Sequence, residues 1–313
     1  MTNRGAVITG WGTALPDKTV TNADLAARLD TSDEWIVART GIHERRVGGT
    51  TAGLATEAGR AALARAGVTA ADIDHVVLCT TTPDQTIPAS ACAVQNNLGI
   101  VGGAFDINAA CSGFVYGLVV AHGLITMGAS RILLIGSETL SRNTDWDDRG
   151  TAILFADGAA AVVLEAVDGA GELVSWDLQS VGSLQSVLYA DVGDVMKMEG
   201  REVFRQAVRI LIDTATKSMT AAGVTADDIT LMVAHQANMR IIDSACAKLG
   251  IPIEKTSNVL EYTGNTSSAS IPLALARALD ENRLKEGDLV LLVGFGAGMT
   301  AASCILRWAG RAG

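Results

Sequence analysis

Apolar residues along this chain fall into two alternating patterns. Short runs rich in Val, Ile and Leu, bounded by Gly, Asp and Thr, predict strands. In the first half they are "GAVITGWG", "DHVVLCTTT", "GAFDINAA", "RILLIGSE" and "AAAVVLEA"; in the second, "ELVSWDLQS", "TLMVAHQA", "DLVLLVGFG" and "AASCILRWA". These runs are apolar throughout and do not alternate with polar residues, which suits sheets covered on both faces. Ala-rich stretches with helical character lie between them, among them "AGRAALARAG" and "IPLALARALD". Strands alternating with crossover helices predict an α/β fold.

An internal repeat organises these elements. Residues 66–78 read "AGVTAADIDHVVL" and residues 222–234 read "AGVTADDITLMVA", an offset of 222 − 66 = 156, half the chain. Both copies follow a helix-like stretch and end in an apolar strand. A looser second pair, "SRILLIGSETL" from Ser130 and "GDLVLLVGFGAG" from Gly287, keeps the same order at nearly the same offset. The period is far too long for a solenoid, so the expectation is two similar α/β halves, 1–168 and 169–313. No Pro/Ser/Gly-rich linker separates them, so they should form one rigid body.

Composition narrows the function. Apolar residues make up 49% of the 313 residues and aromatics only 4%, so a large core must be built from Ala, Val, Ile and Leu. The formal charge of −10, without a Lys/Arg block, argues against nucleic-acid binding, which needs clustered cations. Five cysteines in odd number and without a CxxC pair read as reduced thiols of a cytoplasmic protein. The opening "MTNRGAVITGWG" enters a strand at once and carries no signal-peptide pattern. Nor is there an uninterrupted apolar run of the length a membrane span needs.

Four places could carry chemistry. Cys111, in "DINAACSGF", stands where a predicted strand gives way to a helix. A helix start carries partial positive charge and lowers the pKa of a thiol there, which favours a nucleophile. A buried structural cysteine is the competing reading. His235, in "VAHQAN", ends a strand where the first repeat has Cys79, and sites in such sheets form at the carboxyl ends of strands. Of the other histidines, His43 and His75 read as surface residues and His122 as a satisfied core histidine. Asn265, in "EYTGNTSSAS", alone reads as a capping turn; its interest lies in joining a thiol and an imidazole at strand ends. The glycines of "GFGAGMT" call for close backbone approach or positive φ, and N–H groups there could face an oxyanion.

These residues and the stretches around them resemble one family. "SDEWIVARTGI", "DINAACSGF", "DDRGTAILFADGAAA", "MEGREVFRQAV", "HQANMRII", "GNTSSAS" and "GFGAG" occur in order and nearly end to end. The chain resembles the condensing enzymes of the thiolase superfamily, and within them the ketoacyl-acyl-carrier-protein synthases III, which start fatty acid synthesis. The resemblance implies the thiolase-like, five-layered αβαβα fold made of two duplicated halves. It implies a Cys111, His235, Asn265 triad, with backbone N–H groups of Cys111 and Ala297 as oxyanion hole. It implies decarboxylative condensation of an acyl-CoA with malonyl-acyl carrier protein through an acyl-cysteine. No metal or redox cofactor is implied, coenzyme A arriving as part of the substrate, and a homodimer is.

The same resemblance assigns the substrate channel. Trp35 and Arg149 match residues that sandwich the adenine. Asn238 and Arg240 match positions near the tunnel, Arg240 as a contact for phosphate or for the acidic carrier protein. Phe204, in "GREVF", lies in the stretch that lines it. Ile87 departs from the pattern: it falls where acetyl-restricted members carry Phe, in a loop that reaches the partner subunit's acyl pocket. The smaller side chain points to a longer or branched primer. Two other readings compete: a relative loading unusual starters in secondary metabolism, and a non-catalytic binding module on the same fold. The second conflicts with keeping three buried polar groups that would be costly without a role.

Overall fold

All nine predicted strands form, and they assemble into two sheets. In the computed structural model, which describes residues 4–310, the first sheet holds β1 (Arg4–Ala14), β2 (His75–Cys79), β3 (Gly103–Ile107), β4 (Arg131–Thr139) and β5 (Asp157–Asp168). Their order is β1-β5-β4-β2-β3. The second sheet holds β6 (Leu173–Ser180), β7 (Ile229–Ala234), β8 (Leu289–Gly296) and β9 (Thr300–Arg307), in the order β7-β8-β9-β6.

One pairing pattern occurs twice. β4 runs parallel to β2 and antiparallel to β5, as β8 runs parallel to β7 and antiparallel to β9. β3 extends the first sheet beside β2. Its place in the second sheet is taken by a single bridge between Met232 and Thr256. The repeated sequence folds alike in both copies. The Thr69 N–H donates to Asp72 at 2.7 Å and the Thr225 N–H to Asp228 at 2.8 Å, each turn delivering the chain into the strand that follows.

Helices α1 (Asp33–Thr40), α2 (Thr51–Ala66), α3 (Ser90–Leu98), α4 (Gly113–Thr126), α5 (Gly200–Ala222), α6 (Met239–Leu249) and α7 (Ser270–Asp280) complete the main elements. Successive side chains of a strand point to opposite faces, and here each face meets a helix layer. Val76 and Leu78 pack with Ala55 of α2 and Val94 of α3, whereas Val77 and Cys79 pack with Phe114 of α4 and Ile271 of α7. In the second sheet Leu231 and Val233 share that central cluster, while Met232 and Ala234 face α5 and α6. The layers therefore run α2/α3, sheet, α4/α7, sheet, α5/α6, which is the predicted αβαβα fold. It also explains strands without polar alternation, since neither face is solvated. Among the described residues, no helix is long and apolar enough to cross a membrane.

Side chains remote in sequence fasten the starts of α2 and α3. Asp84 accepts the N–H groups of Thr51 and Ala52 at 3.0 and 2.7 Å, and Asp106 accepts those of Ser90 and Ala91, both at 2.8 Å. Each carboxylate satisfies two N–H groups that a helix start leaves open and opposes its partial positive charge.

Candidate active site

The chain after β3 does not enter α4 directly. Residues Ala110–Ser112 form a single 3₁₀ turn, with Ala110 at φ 48°, and α4 starts at Gly113. Cys111 sits in the middle of this turn. Its place is fixed from below by a hydroxyl pair, Ser112 Oγ and Thr300 Oγ1 at 2.8 Å, with Thr300 also donating to the Ala109 carbonyl at 2.9 Å. From the other side, the end of β8 presses close. A Cβ on Gly296 would stand 2.5 Å from the Cys111 nitrogen, so only glycine fits. That contact carries the next residue, Ala297, alongside the Cys111 backbone.

The helix start does not lower the Cys111 pKa as its sequence position suggests. Burial pushes the thiol up to about 12, against the smaller help of a hydrogen bond with Ser267 and of its own backbone N–H, and the Glu138 carboxylate pushes the same way. Removal from water costs the thiolate more than the partial charge of a helix end returns. His235 is shifted downward by the same cause, to about 3, so its ring is neutral. At neutral pH the site therefore holds an uncharged thiol beside an uncharged imidazole.

His235 follows the last residue of β7 and is 1% exposed. Its Nδ1 lies 2.7 Å from Ser270 Oγ, on the first turn of α7, and the Gln236 N–H donates to that same oxygen at 3.2 Å. When the Ser270 hydroxyl gives its proton to Nδ1, the hydrogen of the neutral ring sits on Nε2. Phe295 packs its ring against the imidazole, centroids 5.3 Å apart at 67°, a T-shaped contact. Asn265 is held by its backbone between two carbonyl–amide bonds. Its N–H donates to the Leu154 carbonyl and its carbonyl accepts from the Ala156 N–H, both at 2.9 Å. Its Oδ1 accepts the Ser267 N–H at 2.9 Å, the capping turn read from the sequence, and this leaves the amide nitrogen free to donate elsewhere.

Cys111, His235 and Asn265 line one narrow cavity of about 90 Å³, with Phe155, Val203, Phe204, Asn238 and Phe295. Cys111 also lines a second, wider cavity of about 1030 Å³, where Asn108, Arg142, Leu188, Ser267 and Ala297 form other parts of the wall. The cysteine stands between the two. Phe204 and Asn238 belong to the narrow cavity, and Arg240 stacks over Phe204 at 5.4 Å. Asn238 caps α6, its Oδ1 accepting the Arg240 N–H at 2.9 Å.

Trp35 and Arg149 meet each other directly. The guanidinium lies 4.7 Å from the ring centre, while a ring held between them needs about 7 Å, two contacts of about 3.5 Å. As they stand, the two leave no room for a ring between them. Ile87 is 84% exposed and lines neither cavity of its own chain, although Gln85 and Thr86 just before it line the wider one. Among the histidines, His122 is not the satisfied core residue expected. Its Nδ1 is buried without a hydrogen-bond partner among the described residues, and burial lowers its pKa.

Three neighbours escaped the sequence reading. Arg39 covers Trp35 at 4.5 Å, and its signal was available, since the two are four apart on α1. Ser270 and Phe295 carried no local signal, because both act across the fold.

Comparison with known proteins follows this geometry. A family model described as "3-Oxoacyl-[acyl-carrier-protein (ACP)] synthase III" matches residues 105–182, and its "C terminal" companion matches residues 219–308. The beta-ketoacyl-[acyl-carrier-protein] synthase III of Sinorhizobium medicae is 48% identical, over 97% of this chain and 99% of its own. That of Bradyrhizobium diazoefficiens is 49% identical, over 98% and 100%. The crystal structure of 3-oxoacyl-[acyl-carrier-protein] synthase III from Aquifex aeolicus superposes with a TM-score of 0.95 at 42% identity, covering 97% of this chain and 100% of that one.

Proposed function

The chain belongs to the 3-oxoacyl-[acyl-carrier-protein] synthase III family, and from that premise we propose how its site starts fatty acid synthesis. Cys111 is the nucleophile. Its sulfur attacks the thioester of an acyl-CoA, the acyl–CoA bond breaks, and the thiol proton leaves with the coenzyme A sulfur. The N–H groups of Cys111 and Ala297 hold the oxyanion of this step; what supports that pairing is the contact of Gly296 with the Cys111 nitrogen. Malonyl-acyl carrier protein then enters. It loses carbon dioxide, and His235 and Asn265 donate hydrogen bonds to the thioester oxygen on which charge gathers. The carbanion attacks the acyl-cysteine, a carbon–carbon bond forms, the carbon–sulfur bond breaks, and Cys111 regains a proton. The product is 3-oxoacyl-acyl carrier protein. No metal or redox group takes part in these steps.

The observation that carries the reading is the shared cavity. One thiol, one imidazole whose Nδ1 is engaged by Ser270 and one amide with its nitrogen free line it together. A neutral imidazole suits the second step, because it donates to a developing charge without first titrating. Trp35 and Arg149 bind the adenine once Arg149 has turned outward. Phe204 and Asn238 line the approach, and Arg240 receives phosphate or the acidic carrier. The division at 168/169 gives Cys111 to one half and His235 and Asn265 to the other. The working form is a cytoplasmic homodimer in which Ile87 reaches the partner subunit's acyl pocket.

Intact-protein mass spectrometry tests this. Wild type and Cys111→Ala are incubated with acyl-CoAs from acetyl to long and branched chains. One acyl mass on the wild type, absent from the variant and discharged by malonyl-acyl carrier protein, is the expected result. No loading by any primer, or loading that survives Cys111→Ala, sinks the reading.

A further inference from the structure

Arg45 is the one arginine among the largest fully buried side chains, with 0% exposure. It stands in a short strand, Glu44–Arg46, paired with Thr19–Thr21 at the edge of the fold. Among the described residues, no carboxylate forms an ion pair or hydrogen bond with it. Its guanidinium donates instead to neutral oxygens: Nε and Nη2 to the Ile153 carbonyl at 3.0 and 2.6 Å, and Nη1 to Asn22 Oδ1. Asn22 in turn donates to Asp33 at 2.7 Å, so the balancing charge is reached only through an intermediary. A buried cation is costly to keep, and packed apolar residues often replace one without loss of stability. What this one holds is therefore informative.

It holds the frame of Asn265 from both sides. Ile153 is followed by Leu154, whose carbonyl accepts the Asn265 N–H, and two residues later Ala156 donates to the Asn265 carbonyl. Phe155 and Asn265 are paired as a parallel bridge, with Phe155 in the wall of the catalytic cavity. The aliphatic stem of the same arginine abuts the residue before Asn265. Gly264 has φ 73°, and a Cβ there would stand 3.0 Å from Arg45 Cγ and 2.8 Å from the Ala156 Cβ. One side chain thus fixes residue 153 with its head and residue 264 with its stem. Asn265 is hydrogen-bonded between the two segments.

We propose that Arg45 is a positioning residue for the decarboxylation step: it sets the backbone clamp that aims the Asn265 amide into the cavity. Cys111 and its oxyanion donors come from the turns at 110–112 and 296–297, which Arg45 does not touch. The proposal rests on the roles given above to Asn265 and Cys111. It predicts that the two half-reactions separate, which a general loss of folding would not produce.

The test compares Arg45→Met, Arg45→Lys and Asn265→Ala with wild type. One assay reads acyl-Cys111 formation from acyl-CoA by mass; the other reads carbon dioxide release from malonyl-acyl carrier protein. For Arg45→Met, loading should stay within about threefold while decarboxylation falls about 10²-fold, the usual effect of misplacing a group by about 1 Å. Arg45→Lys keeps the charge and one donor, and should fall between. If Arg45→Met does not fold, Arg45→Lys decides by the same split. Equal losses in both assays, or none in either, overturn the positioning role. If Asn265→Ala itself keeps decarboxylation, the role of Asn265 fails and the proposal falls with it; if only Asn265→Ala loses it, the error lies with Arg45 alone.

Discussion

Ser270→Ala tests the hydrogen placement that the condensation step needs. The serine hydroxyl serves two buried groups, Nδ1 of His235 at 2.7 Å and the N–H of Gln236 at 3.2 Å. Its removal leaves both without a partner, in residues 1% and 0% exposed. A buried polar group left unpaired costs about 1–3 kcal/mol, so the pair should cost about 2–6 kcal/mol. For a chain of this size that is a fall in Tm of roughly 3–9 °C. The activity change falls on one step. Without the Ser270 proton, the ring hydrogen is free to move to Nδ1, and Nε2 then presents a lone pair where a donor is needed. Loss of one preorganised donor costs about 10²–10³ in rate. Decarboxylation of malonyl-acyl carrier protein should fall by that factor, while acyl-Cys111 formation should change by less than about threefold. Ser270→Thr keeps the hydroxyl and should recover most of the loss. Nitrogen-15 NMR of labelled histidine reads the tautomer directly. A folded Ser270→Ala protein with the Nε2–H tautomer unchanged and decarboxylation near the wild-type rate would refute the reasoning.

Three further outcomes follow from the same geometry. Cys92 is exposed and competes for alkylating reagents, so iodoacetamide labelling is best read in Cys92→Ser; there the Cys111 rate should keep climbing past pH 9, because burial holds its thiol up to about 12, and a plateau below pH 8 would contradict this. Glu172 is buried, accepts the N–H groups of Ile8 and Ala309, both at 3.0 Å, and is raised by burial from 4.5 to about 7. Below pH 4.5 both folded and unfolded chains hold its proton; between there and pH 7 the unfolded chain releases it first, so stability falls as pH rises, by about 3 kcal/mol in all. Urea unfolding of Glu172→Gln across that window should show a flatter profile, and an unchanged slope would count against the assignment. Trp35→Ala should raise KM for acyl-CoA about tenfold yet leave loading from an acyl-pantetheine, which has no adenine, unaltered; equal effects on both substrates would remove Trp35 from adenine binding.

The nine strands and the layers were legible because periodicity reports burial, and the central strands of both sheets are covered on two faces. The repeat was legible because Thr69–Asp72 and Thr225–Asp228 are local devices, closed within four residues. Cys111, His235 and Asn265 could be picked out as chemistry at strand ends, but their meeting in one cavity depends on both halves packing together. The Cys111 pKa was misjudged for the same reason. A helix start is written in the local sequence; the apolar enclosure that outweighs it is built from residues such as Phe155, Val203 and Phe295, far away along the chain. Arg45, Ser270 and Glu138 were illegible because each acts over more than thirty positions, through backbone carbonyls or hydroxyls that have no sequence signature.

The duplication also accounts for the form of the site. Turn 110–112 leads into α4, and turn 267–269 leads into α7, the paired helices of the central layer. Each turn opens on a residue at φ 48°, Ala110 in one and Ser267 in the other. Each is preceded by an asparagine whose Oδ1 accepts the N–H two residues on, Asn108 at 3.2 Å and Asn265 at 2.9 Å. These are two copies of one turn, and they have diverged in what they present. The first copy places a thiol after its positive-φ residue and turns Asn108 toward the wider cavity. The second has Ser267 at the positive-φ position, hydrogen-bonded to the Cys111 thiol, with Ser268 where the first has its thiol, and turns its asparagine into the narrow cavity with His235. Because Oδ1 accepts the N–H of the turn, the amide is held in one orientation and its N–H₂ is the end left without a partner inside the chain. The fold brings these two helix starts together at its centre, and that arrangement is why Cys111 and Asn265, from opposite halves of the chain, line one cavity.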